Sequence, residues 1–337
     1  MPIRVAVDAM GGDHAPEVVV EAAANVASEH GDEIVILLVG ASELVRSQLD
    51  KVQGKSAAVE VVDARQVIDM AESPTAALKQ KPQSSIHVGL GLVHSGEADA
   101  FASAGNTGAV MAASLFLLGR LPGVARPAIL GVYPTLEGFS YVIDVGANVD
   151  CKPEHLVQFA DMATIYLERV VRKERPTVGL LSVGEERTKG NELTKEAYAM
   201  LEGDARLNFV GNIEGRDIME HAADIVVCDG FVGNIILKLG ESIATVLPQL
   251  IGREMQRQKL PEDARRLVGG VLKGVNRSFD YEEYGGMPLL GVRGTVLVGH
   301  GGSSVRAIEN MILAAANVSG RNVTGSIEDA FRSSARA

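Results

Sequence analysis

The sequence predicts an α/β fold in which a mostly parallel sheet is covered by helices. Three features of its 337 residues point there. Apolar runs of strand length alternate with segments of helical periodicity along nearly the whole chain. The run at 34–39 is continuously apolar, as a parallel strand buried on both faces must be. Glycine and small polar residues cluster just after several of these runs, where strand-to-helix turns lie.

The elements follow in order. Residues 3–8 form a β-type run, and 16–28 place Val18, Val19, Ala22, Ala23 and Val26 at helical spacing. The 34–39 strand precedes a helix at 42–49 and a short strand at 59–62. Next come a strand at 98–102 and a helix at 107–118. Two strands, 128–133 and 140–144, flank a turn at 136–138. A long helix is expected at 154–171, a strand at 177–182 and a helix at 192–201. Further strands are expected at 207–210, 225–228 and 295–298, and helices at 233–258 and 303–318. No linker, repeat or low-complexity tract interrupts the pattern. Residues 1–337 are therefore read as one continuous α/β catalytic domain, in one lobe or two lobes sharing strands, with the last dozen residues loosely held.

Composition narrows the function. With 43 acidic against 32 basic side chains the formal net charge is −11, which argues against nucleic acid as a partner. Two cysteines make no disulfide framework and suit a reducing compartment. The N-terminus has no charged segment followed by an apolar core and cleavage site. The stretch 109–118 falls short of the ~20 apolar residues that span a bilayer. A cytoplasmic protein with peripheral membrane contact left open is the resulting expectation.

Six polar, glycine-bearing loops each follow an apolar run: 8–16, 103–108, 144–150, 182–191, 228–234 and 299–304. Glycine lets a backbone approach a ligand closely, and the N–H groups at a helix start attract anions. One such loop is ordinary turn chemistry. Six in one register predict a long polar cleft able to hold phosphate. Competing motifs are missing. There is no P-loop, no C-x-x-C, no H-E-x-x-H and no G-x-S-x-G. The GLGLVHSG stretch beginning at Gly89 lacks the third glycine of a dinucleotide fingerprint and precedes a strand. Cys151 and Cys228 are isolated, and Cys228 is read as a small packed apolar residue. Neither a metal nor a cofactor is called for.

Taken together, GGDHAP at 11–16, SAGNTGA at 103–109, DVGANVDCKPEHL at 144–156, GEERTKGNEL at 184–193, CDGFVGN at 228–234 and YGGMPLLGV at 284–292 resemble the PlsX family. Its members are bacterial phosphate acyltransferases of phospholipid synthesis, and the resemblance runs from about residue 3 to about 318. It implies a Rossmann-like three-layer α/β/α fold, related to phosphotransacetylases and to isocitrate and isopropylmalate dehydrogenases. It implies the conversion of acyl–acyl carrier protein and inorganic phosphate to acyl phosphate and free carrier protein. It also implies a homodimer that visits the membrane surface and a membrane-bound glycerol-3-phosphate acyltransferase as the next enzyme. The chain departs from the family at Gln83-Ser84-Ser85, where an acidic residue often precedes the serines, and at Gly302, where a serine is common.

Phosphate attacking a thioester needs no protein nucleophile. The protein must hold anionic and carbonyl oxygens and aim them. Lys189, flanked by the family motif, either holds phosphate or is a solvated loop lysine. Asn234 either donates to the thioester oxygen or caps its helix. Asp8, Asp13 and His14 either orient donors and move a proton or are structural, and His300 shares that ambiguity. Backbone N–H groups of Gly11, Gly12, Gly105, Asn106, Thr107, Gly108 and Gly233 line the expected phosphate cleft, with Asn148 and Ser303. Asp144, Asn148 and Asp229 equally suit loop ties.

The segment 252–277 stands apart. Seven basic against three acidic residues give it +4, leaving −15 for the rest of the chain. Arg265, Arg266, Leu267, Val271, Leu272 and Lys273 form its basic amphipathic face, suited to an anionic membrane or to an acidic carrier protein. A dimer-facing helix reads the same way. Three alternatives to the carrier-protein acyltransferase stand: a phosphotransacetylase using coenzyme A thioesters, a non-catalytic sensor of acyl ligands, and a dehydrogenase.

Overall fold

The computed structural model of the chain describes residues 1–52, 58–278 and 283–334. It begins β1 (Ile3–Asp8), α1 (Glu17–His30), β2 (Ile34–Gly40), α2 (Ser42–Leu49), β3 (Val59–Asp63). Two helices follow, α3 (Pro74–Gln80) and α4 (Ser85–Ser95), then β4 (Ala100–Ser103) and α5 (Thr107–Leu117). The middle of the chain holds β5 (Ala128–Thr135), β6 (Gly138–Ile143), α6 (Pro153–Tyr166), β7 (Thr177–Leu181), α7 (Glu192–Glu202), β8 (Asn208–Ile213) and β9 (Ile225–Val227). The remainder comprises α8 (Gly230–Arg257), α9 (Glu262–Ser278), β10 (Met287–Leu290), β11 (Thr295–Val298), α10 (Val305–Gly320) and α11 (Val323–Ser334).

The eleven strands of the described residues share one sheet, in the order β3-β2-β1-β4-β11-β10-β5-β6-β9-β7-β8. Neighbours are parallel except where β10 pairs antiparallel with both β11 and β5, and β5 pairs antiparallel with β6. These three reversals matter for function. Strands β1, β4 and β11 run one way along the ladder, and β6, β9 and β7 run the other. The six polar loops therefore form two sets of three, and the expectation of six in one register is corrected. The residues of β10 were not recognised as a strand because Pro288 and two preceding glycines mask four apolar residues.

Local chemistry explains most boundaries. Side chains of Asn106, Asn191, Asp229 and Ser304 accept a backbone N–H in the first turns of α5, α7, α8 and α10. Ser84 does the same for α4, which ends at Gly96 in the left-handed conformation. Helix α4 escaped detection because it carries Gly89 and Gly91, poor helix formers, on an apolar segment. The long helix expected at 154–171 is α6 continued by a π turn over Leu167–Val171.

Helices pack on both faces of the sheet, with Phe101, Ile36, Leu130 and Phe159 among the side chains buried there. The C-terminus is not loosely held as far as it is described, because α11 buries Ile327 and Phe331 against α6. The basic segment 252–277 is not one helix. It spans the end of α8, a turn at 258–261 and most of α9. Among the described residues helix α8, rather than the shorter 109–118, has the length and hydropathy to cross a bilayer. Its first turns are tied into the fold through buried Gly230, Gly233 and Gly240.

One half-buried carboxylate makes stability pH-dependent. Asp161 on α6 is pushed up to about 6 by burial, against the opposing pull of Arg206 at 3.2 Å. A raised carboxyl binds its proton more tightly folded than unfolded, so its contribution falls as pH rises from the unfolded value through about 6. Asp161→Asn is expected to gain stability relative to the parent between pH 5 and pH 8, read as the difference in Tm at the two pH values.

Candidate active site

The first set of loops is organised by Asp8, the last residue of β1. It is buried, and burial pushes its carboxyl up. Its Oδ2 accepts the Ser103 hydroxyl at 2.7 Å and its Oδ1 accepts the Met10 N–H at 3.1 Å. Ser103 Oγ in turn accepts the Gly105 N–H at 3.0 Å. A Cβ at Gly11 would stand 2.5 Å from Asp8 Oδ2 and 2.8 Å from the Gly105 nitrogen, so only glycine fits between the loops. The 299–304 loop joins them where the Asp13 N–H donates to the Gly301 carbonyl at 2.7 Å.

A cavity of about 290 Å³ opens beside these loops. One end is polar: Asp13, Thr107 at the start of α5, and His300 to Ser303 just before α10. The N-termini of α5 and α10 both lie at this end, and their N–H groups and dipoles favour an anion there. The other walls are mainly apolar, with Val132, Met287 and Val298 from the sheet and Leu237 from α8, beside the Lys238–Glu241 pair. A groove lined by Tyr133, Pro134 and Gly240 continues along α8 and shares Leu237, Glu241 and Tyr284 with the cavity.

The second set is organised by Asp144, the residue after β6, which is also buried. Burial pushes its carboxyl up, while hydrogen bonds from Ala147, Ile129 and Asn148 pull the other way. Oδ1 accepts the N–H groups of Ile129 at 3.0 Å, Gly146 at 3.3 Å and Ala147 at 3.0 Å. Oδ2 accepts the Asn148 N–H at 2.6 Å and its side-chain amide at 2.9 Å. The first turn of α8 rests on this loop, where the Gly230 N–H donates to the Asn148 carbonyl at 2.7 Å. Cys228 is buried as expected, its thiol 3.7 Å from the Asp144 carbonyl.

Several candidate side chains are engaged within the protein. Asn106 caps α5 and donates its amide to three carbonyls of the 69–72 segment. The Asn148 amide also donates to the Pro127 carbonyl at 2.7 Å. Ser303 donates its hydroxyl to the His300 carbonyl at 2.6 Å. None of the three offers a ligand a free side chain, and the N–H groups of Asn148 and Ser303 are held as well, by Asp144 Oδ2 and the His300 carbonyl. His300 lines the cavity with Nδ1 accepting the Gly302 N–H at 3.2 Å, which leaves Nε2 as the protonated nitrogen of the neutral ring. His14 is exposed and does not line the cavity.

Lys189 and Asn234 are exposed and lie outside the cavity lining. Lys189 folds over Gly184, where a Cβ would meet its Cγ at 2.9 Å. Asn234 is not the helix cap, since Asp229 accepts the Val232 N–H at 2.9 Å. It faces the Asp144 loop instead, 3.7 Å from the Cβ position of Gly146. Lys238, which does line the cavity, comes one helical turn after Asn234 and on the same stripe, paired with Glu241 at 2.9 Å. Helix α8 thus connects the two sets of loops. Lys238, Glu241, Tyr284 and Met70 escaped sequence reasoning, because nothing in a helix interior or an irregular segment marks a residue as cavity-facing. Among the described residues no three His, Cys, Asp or Glu side chains cluster as a metal site.

Gly233 has no room for a side chain: its Cβ would lie 1.9 Å from the Asp144 carbonyl oxygen, a backbone atom that cannot yield. Gly233→Ala is expected to cost about 3 kcal/mol or more, visible as a lowered denaturation midpoint.

Comparisons with known proteins agree with this architecture. The family described as "Fatty acid synthesis protein" matches residues 3–325. The phosphate acyltransferase of Salinibacter ruber is 52% identical over 332 residues, covering 98% of each chain. That of Chlorobaculum parvum is 49% identical over 321 residues, covering 93% of this chain and 94% of its own. Among solved structures, a phosphotransacetylase from Streptococcus pyogenes superposes with a TM-score of 0.64 at 19% identity over 94% of both chains. The 4-hydroxythreonine-4-phosphate dehydrogenase of Klebsiella pneumoniae follows at 0.56 and 15%, covering 95% of this chain and all of its own. At those identities the likeness is one of fold.

Proposed function

Since the chain belongs to the phosphate acyltransferase family and is an enzyme of that type, we propose that it converts acyl–acyl carrier protein and inorganic phosphate to acyl phosphate and free carrier protein, for phospholipid synthesis. The observation that carries this reading is the cavity, whose anion-attracting end at two helix N-termini meets apolar walls that continue along α8. A phosphate and an acyl chain make those two opposite demands.

In the proposed reaction a phosphate oxygen adds to the thioester carbon, the tetrahedral intermediate expels the thiolate, and the thiolate takes a proton. The N–H groups at the start of α5, where Thr107 lines the cavity, serve the phosphate, while those of Gly11 and Gly105 are held by the Asp8 carbonyl and the Ser103 hydroxyl. Asp8 ties these loops and, being buried, keeps them in place. Asp13 lines the same end as a carboxylate, so it suits the orientation of a donor better than contact with an anion. The His300 Nε2–H on the cavity wall donates a hydrogen bond to the departing sulfur, which takes its proton from the attacking hydrogen phosphate. Asn234, one turn along α8 from the cavity, donates to the carbonyl oxygen as charge develops, and Lys189 offsets the phosphate charge. The direct test incubates the pure protein with acyl–carrier protein and phosphate and follows acyl phosphate and carrier thiol. Lys189→Ala and Asn234→Ala are each expected to lower kcat about a hundredfold with little change in Tm. Near-parental turnover by both folded variants would remove them from the mechanism. A strong preference for coenzyme A thioesters would favour the phosphotransacetylase reading instead.

The α8–α9 arm supports three further proposals: a homodimer contact, docking of the acidic carrier protein, and peripheral attachment to an anionic membrane where a glycerol-3-phosphate acyltransferase would receive the product. Leu267 and Val271 are 72% and 61% exposed on α9, beside the cations Arg265, Arg266 and Lys273. Apolar residues left in water next to basic ones match an anionic lipid surface. Val271→Glu is expected to lower sedimentation with anionic liposomes severalfold, and unchanged binding would remove the membrane proposal.

A further inference from the structure

The segment joining β3 to α3 has no regular structure, yet it is clasped along its length. The Asn106 amide donates to the carbonyls of Asp69 at 3.2 Å and of Met70 and Glu72 at 3.1 Å, while its oxygen caps α5. Lys81 donates to the Val67 carbonyl at 2.6 Å and pairs with the Glu72 carboxylate. Gln66 bridges to Ser84. At the far end Pro74 sits on the first turn of α5, where a Cβ at Gly108 would meet its Cγ at 2.7 Å. The segment is therefore a fixed strap across the N-terminus of α5. It presents Met70, 50% exposed, on the cavity wall. The Met70 methyl lies 3.0 Å from the Cβ position of Gly301, over the polar end of the cavity.

A half-exposed apolar side chain over a polar glycine loop gains nothing for folding. It gains a purpose if the reaction must exclude water. The thioester carbon can accept an oxygen from phosphate or from water. In both cases a C–O bond forms, the C–S bond breaks and the thiolate takes a proton. Phosphate gives acyl phosphate, whereas water gives the free carboxylic acid. We propose that Met70 is a specificity-determining residue that closes the polar end of the cavity to water once the acyl thioester is bound, and that Asn106 is the positioning residue that holds it there. This rests on the acyl-transfer reading given above.

The test measures three quantities in one initial-rate assay with acyl–carrier protein and phosphate: thiol released, acyl phosphate formed and free carboxylic acid formed. The parent protein is expected to match thiol with acyl phosphate. Met70→Ala and Asn106→Ala are expected to raise the share of thiol matched by free acid roughly tenfold, the scale on which a lost apolar contact alters discrimination. Met70→Leu should restore the parental share. Variants that slow the reaction but keep the parental partition would overturn the inference while leaving the acyl-transfer reading intact. Absence of acyl phosphate with the parent protein would instead overturn that reading, and this inference with it. Should Asn106→Ala fail to fold, Met70→Ala decides alone, since its half-exposed side chain is not part of the buried core.

Discussion

A carboxylate removed from water must be surrounded by donors or it destabilises the fold by several kcal/mol. Asp8 and Asp144 each meet that demand at the end of a strand, and the loops of the site take their shapes from it. Around Asp144 five N–H groups converge on one side chain, which folds residues 146–148 into a tight turn beneath α8. Around Asp8 the Ser103 hydroxyl and the Met10 N–H draw two loops together until only glycine fits between them. Several glycines of the polar loops thus serve backbone-to-carboxylate packing first, and whatever they offer a ligand follows from that packing.

The sheet adds a second constraint. Because β10 and β5 reverse its direction, the two buried aspartates end strands that run in opposite senses. Helix α8 is the element that spans the gap. Its first turn rests on the Asp144 loop, its Asn234 faces Gly146, and one turn later Lys238 and Glu241 border the cavity served by the Asp8 loops. Beyond the cavity the helix continues with Leu239, Val246, Leu247 and Leu250 exposed, so one helix ties the interior of the site to an apolar outer face. The uneven charge of the chain fits that layout, since the basic residues of 252–277 sit at the far end of the same arm.

How much was legible depended on whether a residue's role was local. Strands such as β2 were readable because a buried parallel strand is apolar throughout, and the start of α5 was readable because Asn and Thr mark a helix N-terminus. Helix α4 and strand β10 were not, since glycine and proline inside them contradict their local propensity and packing overrides it. Lys189 and Asn234 could be singled out by their flanking residues, but not their distance from the cavity. Met70 could not be singled out at all, because its position depends on Asn106 and Lys81.

By itself the sequence determined the α/β class, the six polar loops and the family, because these rest on periodicity, turn chemistry and motif identity. Only the tertiary structure decided that the loops form two sets, that Asn106, Asn148 and Ser303 spend their side chains inside the protein, and that a strap carries Met70 over the cavity. The physical reason is the same in each case. Strand direction and hydrogen-bond partners are relations between residues far apart in the chain, and no local pattern encodes them.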